Sequence, residues 1–103
     1  MSIELRPEVR AFAEAMELRL RDFDNVNGPT SWRDGTGKEL SERRHTLLDR
    51  AESNLDDMRT AMAGAAVFGH GSANLIVQTA VDAANLAMMA VDLCLDGGLK
   101  PFA

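Results

Sequence analysis

The sequence predicts an all-α domain: a three-helix chain forming an antiparallel helical bundle that a second copy of the same chain completes. Three observations predict it. Apolar residues recur at three- and four-residue spacing through 7–23 and 38–62. The stretch from Asn74 to Asp96 is apolar almost all round. Helix-breaking residues are gathered between these segments, above all in 24–37. At 103 residues the chain is read as one domain over 1–103, small for burying a helix as apolar as the last, which points to a homodimer.

The first helix is expected over about 7–23. Pro7 suits the first helical turn, and Val9, Phe12, Ala13, Met16, Leu20 and Phe23 draw one apolar face. On its other face Arg10 with Glu14 and Glu17 with Arg21 are opposite charges four residues apart, read as solvated pairs. From Asp24 to Gly37 the chain turns to Asn, Gly, Pro, Thr and Ser, and a loop is expected. Trp32 stands in it, either stacked on a base or plugging the open end of the domain.

The second helix is expected over about 38–62, with Leu40, Leu47, Leu48, Ala51, Leu55, Met58 and Met62 on one arc and Gly64 as its terminator. Its outer surface is charged and includes Asp49, Glu52, Asp56 and Asp57, while His45 projects to solvent. Phe68 and His70 fall in a short connection closed by Ser72, the expected N-cap of the third helix, 72–96. His70 has no Cys or second His at ligand spacing, so it predicts no metal site.

In the third helix Gln78, Asp82, Asn85, Asp92 and Asp96 fall within an arc of roughly 80° at 100° per residue, one polar wall on an otherwise apolar rod. The rest needs cover, and the expected shared core of the dimer includes Ile76, Ala80, Ala83, Ala87, Met88 and Val91. Gly97 and Gly98 end the helix, and Phe102 in the tail is placed to tuck back onto the domain.

Composition limits the function. The net charge is −5, with 16 acidic against 11 basic residues. No basic cluster with interleaved aromatics offsets it, so direct nucleic-acid binding is not expected, whereas a basic protein partner suits the acidic surface. The polar residues of the third helix interrupt it before an uninterrupted span of ~20 apolar residues, and no membrane segment is expected. The lone Cys94 is expected in the core and suits a reducing, cytoplasmic compartment.

Arg6 to Arg21, RPEVRAFAEAMELRLR, then Trp32, Arg33 and Asp34, and above all Asp82 to Asp92 in the pattern D-x-A-N-x-A-M-M-x-x-D, resemble the small phage- and bacterium-encoded branch of the MazG-like all-α nucleoside triphosphate pyrophosphohydrolases. The resemblance covers most of the chain. It implies two helices bringing an E-x-x-E and an E-x-x-D around Mg²⁺, which binds the nucleotide phosphates and activates water to release monophosphate and pyrophosphate.

The sequence departs from that pattern at the ligands. Thr79 stands where the Glu of E-x-x-D is expected, leaving Asp82. Aligned on Leu48 and Leu55, Ala51 and Asn54 occupy the E-x-x-E positions, with Arg50 just before them. Pairing Asp49 with Glu52 instead would turn Leu47, Leu48, Leu55 and Met58 outward, at ~1.5–3 kcal/mol per large side chain. The metal site is therefore expected to be degenerate, with Asp82 paired to Arg50, Asn54 or Asn85, or hydrated, and no cofactor is expected.

The leading expectation is a non-catalytic binding or inhibitory protein on a MazG-like helical scaffold. Its phage-type resemblance implies action against a host defence or nucleic-acid-handling protein through the acidic face at Asp49, Glu52, Asp56 and Asp57. The alternative is a working Mg²⁺-dependent pyrophosphohydrolase, with Asp82 as catalytic and metal residue, joined by Asp49, Glu52 or a second subunit's carboxylate, and with Trp32 and Asn85 at the nucleotide. A nucleotide sensor without hydrolysis is a third reading.

Overall fold

The computed structural model describes residues 3–68 and 73–100, with the backbone alone described for 65–68. Ser72, His70 and Phe102 lie outside the described residues, as does the side chain of Phe68. The described residues form three α-helices, α1 (Pro7–Asn27), α2 (Gly37–Phe68) and α3 (Ala73–Cys94), with one 3₁₀ turn, Ser31–Arg33, between the first two.

Helix α1 begins as the sequence predicts, with Pro7 in its first turn and Arg6 extended before it. It continues one turn past Phe23, to Asn27. Asp24 and Asn25 are poor helix formers, but nothing in them forces a stop. The stop comes at Gly28, whose φ of 93° few other residues adopt and whose N–H donates to the Asp24 carbonyl at 2.8 Å. Of the two expected surface pairs, Arg21 donates to Glu17 at 3.3 Å, and no ion pair joins Arg10 and Glu14.

Helix α2 runs to Phe68, straight through Gly64. A mid-helix glycine costs about 1 kcal/mol relative to alanine, and Ala61, Ala63, Ala65 and Ala66 around it are the strongest helix formers available. The expected termination at Gly64 is therefore corrected. Helix α3 ends at Cys94, and Gly97 and Gly98, both at positive φ, turn the chain; the Gly98 N–H donates to the Leu95 carbonyl at 2.9 Å.

Helix α3 packs mainly on α2 and more lightly on α1. The core joins Leu47 and Ala51 of α2 to Leu86, Met89 and Ala90 of α3, with Trp32 of the 3₁₀ turn inserted among them. Leu20 and Phe23 of α1 and Met88 and Leu93 of α3 are half-buried against this cluster. The apolar arc expected on α2 splits: Leu47 is buried, while Leu48, Leu55 and Met62 stay exposed, because they lie to one side of the face that α3 covers. The expected shared core divides too, since Ala83 is buried within the chain and Val91 is exposed. Cys94 is exposed, correcting its expected core position: it is the last residue of α3 and lies at the edge of the arc drawn by the buried Ala83, Leu86, Met89 and Ala90.

Candidate functional site

Of the five residues of the expected polar wall, Asp82, Asn85 and Asp92 hydrogen-bond to other parts of the chain, while Gln78 and Asp96 are exposed and Asp96 lies past the end of α3. Near the middle of the helix, Asp82 accepts hydrogen bonds from Arg19 of α1 through both carboxylate oxygens, from Nε at 2.9 Å and Nη2 at 3.0 Å. This two-pronged geometry is the strongest a guanidinium offers a carboxylate. Asp82 is thus paired with Arg19, not with the expected Arg50, Asn54 or Asn85. One turn further, the buried Asn85 amide donates to the Met16 carbonyl at 3.1 Å, tying α3 to the α1 backbone. Its Oδ1 is buried and finds no hydrogen-bond partner among the described residues.

Asp92, near the C-terminal end of α3, is 3% exposed and receives four donors. The Trp32 indole N–H lies at 2.9 Å, Arg33 Nε and Nη2 at 2.6 and 2.7 Å, and the Leu99 backbone N–H at 2.8 Å. The Arg33 guanidinium, helped by the Leu99 and Trp32 N–H groups and opposed by burial, holds the Asp92 carboxyl well below the usual carboxylate range. The loop is held from α2 as well, because Arg43 donates to the carbonyls of Trp32, at 2.8 Å, and Asp34. Trp32 is 9% exposed, its ring inside the core and its N–H spent on Asp92. This is the plugging arrangement, and it leaves little ring for a base to stack on.

Between α1, α2 and α3 lies a cleft of about 400 Å³. Leu20, Phe23, Leu86 and Met89 contribute its apolar surface, and the polar lining includes Arg19 and Asp82, Asp22, Arg50, Asn54 and Asn85. Here the carboxylate cage of a Mg²⁺-dependent pyrophosphohydrolase would have to sit. The residues present do not fit a divalent cation. Both Asp82 oxygens are engaged by Arg19, Arg50 brings a second positive charge to the same cleft, and Asn54 supplies a neutral amide where a carboxylate is needed. Among the described residues no three carboxylate, imidazole or thiol side chains gather at one point.

Comparison with protein-family models, with curated proteins and with solved structures gave no match.

The remaining sequence-selected residues lie apart from the cleft. Asp49, Glu52, Asp56 and Asp57 are all exposed on α2, none is in an ion pair among the described residues, and none lines the cleft. Sequence reasoning missed Arg19 and Arg33, the two cations that neutralise the wall. Arg19 had a signal: at 100° per residue it flanks the arc of Met16, Leu20 and Phe23, where a long side chain can reach around a packed face.

Proposed function

We propose that this protein works by binding, as a homodimeric antiparallel helical bundle, and does not hydrolyse nucleotides. The observation that carries this reading is the two-pronged Arg19–Asp82 pair. Asp82 is the one carboxylate matching the metal-binding pattern of the pyrophosphohydrolases that the sequence resembles. With its charge taken by a guanidinium and the facing α2 offering Arg50 and Asn54, the cleft supplies electrostatic balance where Mg²⁺-dependent phosphate chemistry requires a concentration of negative charge.

The surface suited to a partner is the outer side of α2. Asp49, Glu52, Asp56 and Asp57 are exposed there and free of ion pairs among the described residues, so a basic protein surface can neutralise them without first breaking internal bonds. Such a partner would be held off its own anionic ligand, which is the chemical basis for an inhibitory role against a nucleic-acid-handling or defence protein.

The decisive experiment incubates the protein with each common nucleoside triphosphate and Mg²⁺ and measures pyrophosphate release. The expected result is no turnover and no rise in melting temperature with Mg²⁺ and a non-hydrolysable analogue. Turnover that Asp82→Asn abolishes would overturn the reading in favour of the enzyme.

A further inference from the structure

We propose that α2 is the docking site of a basic amphipathic helix, about four turns long, supplied by a protein partner. The inference rests on the reading that the acidic side of α2 binds a basic protein, and it names the structure which that partner presents. Leu48, Leu55 and Met62 are 46%, 51% and 51% exposed and follow one another at seven-residue intervals, so they form one bare apolar line about 21 Å long. Its contact points recur every ~10.5 Å, two turns of a facing helix. An extended segment, whose side chains repeat on one face every ~6.8 Å, keeps no such register.

The surroundings of the line set the chemistry of what covers it. With Leu48 at zero and 100° per residue, the buried Leu47 and Ala51 lie at about −100° and −60°, the apolar line spans about −40° to 0°, and Glu52, Asp56 and Asp49 follow at about 40°, 80° and 100°. The line thus runs between the face packed on α3 and a row of carboxylates. None of the three is in an ion pair among the described residues. Between Leu48 and Met62, Arg59, at about 20°, is the one cation on this flank, so three carboxylates against one guanidinium leave two negative charges. Asp57, at about 180°, falls outside the footprint. A helix that seats apolar side chains on the line therefore meets the row with Lys or Arg along one flank, the helix-on-helix mode in which apolar anchors hold the segment and charges fix its register.

The same charge argument turns a second copy of this chain away from the site. Helix α1 carries three basic residues against five acidic, α2 five against six, and α3 none against two. No helix of the chain is basic. Two copies joined α2 to α2 would set one carboxylate row beside the other, where like charges repel.

Fluorescence anisotropy of a labelled model peptide against the full chain tests the proposal. The peptide, about 18 residues long, carries Leu on one helical face and Lys elsewhere; one control scrambles its order and another replaces each Lys by Glu. The ordered Lys peptide is expected to bind and both controls to fail. Leu55→Gln should weaken binding about tenfold or more, and Glu52→Gln with Asp56→Asn should weaken it at low salt and flatten its salt dependence. Asp57→Asn should change it less than about twofold. Carbene footprinting of the wild-type chain needs no substitution: adding the peptide should protect Leu48, Leu55 and Met62 while Leu18 and Val26 stay labelled. A scrambled peptide that binds as tightly overturns the proposal, as does binding that Leu55→Gln leaves unchanged or that brings no protection to the line. So does a line already protected in a two-chain particle without peptide. The two readings fail separately: loss of peptide binding with no nucleotide turnover sinks the helix proposal alone, whereas turnover with peptide binding intact sinks the non-catalytic reading alone.

Discussion

Arg19 of α1 holds both carboxylate oxygens of Asp82 on α3, at 2.9 and 3.0 Å, across 63 residues of sequence. The pair is half-exposed, with side-chain exposures of 42% and 26%, so solvent screens it. A double-mutant cycle with Arg19→Ala and Asp82→Ala is expected to give a coupling of about 0.5–1 kcal/mol, shrinking in ~1 M salt where the screening length falls to ~3 Å. Urea unfolding at two salt concentrations measures it, and a coupling near zero at low salt would show that the pair is ornamental.

Asp92 should matter more, because it is buried and four donors converge on it. Asp92→Ala strands the Trp32 and Leu99 N–H groups and is expected to lose about 2–3 kcal/mol in chemical denaturation.

The pH dependence of that contribution follows from the lowered Asp92 pKa. A depressed folded value means that the unfolded chain takes up the proton first as pH falls. Asp92 therefore stabilises the fold fully above the ordinary value of 3.8, and the contribution shrinks below it, toward the depressed folded value. Wild type and Asp92→Asn should differ by a constant amount from neutral pH down to about 5 and converge in stronger acid. Denaturation curves across that range check the sign.

Gly98 has a φ of 79°, and a Cβ there would sit 2.7 Å from Asp92 Oδ1 and 2.9 Å from Arg33 Nη2. Gly98→Ala is expected to cost about 2 kcal/mol or more, combining backbone strain with displacement of the ion pair. Gly28→Ala is the control: its φ is 93° but no atom lies within 4 Å of the added Cβ, so it should show the strain alone. Equal losses in thermal melts of the two variants would refute the steric part.

Trp32, the single tryptophan, reports directly on the plug. Its emission should be blue-shifted and resistant to acrylamide in the folded protein, moving to the red on unfolding. Trp32→Phe keeps most of the apolar ring but removes the donor to Asp92, for an expected loss of about 1–2 kcal/mol.

The three helices were legible because periodicity and helix breakers are local signals. Pro7 opens α1 where the pattern places it, and the glycines at 97 and 98 follow the end of α3. Errors arose where one residue had to be weighed against its neighbours: Gly64 is outvoted by the alanines around it, and Asp24 to Asn27 remain helical until Gly28. The site was legible only in part. Asp82, Asn85 and Asp92 were identifiable as a wall because their spacing is local, but Arg19 and Arg33 reach them from 63 and 59 residues away. No periodicity along one helix encodes which cation a second element will deliver. The same limit applies to Leu48, whose place on the α2 arc did not reveal that it lies on the flank that α3 leaves uncovered.

The convergence of Trp32, Arg33 and Leu99 on Asp92 also sets an order of assembly. Helices α2 and α3 are neighbours in sequence and can pair early, at small loop-closure cost. The 3₁₀ turn must wait, since the carboxylate that receives it is presented only once α3 has formed and its C-terminal turn has brought the Leu99 N–H into place. Docking of that turn is thus a late, high-separation step in folding, and its rate should report on the C-terminal turn of α3 more than on α1.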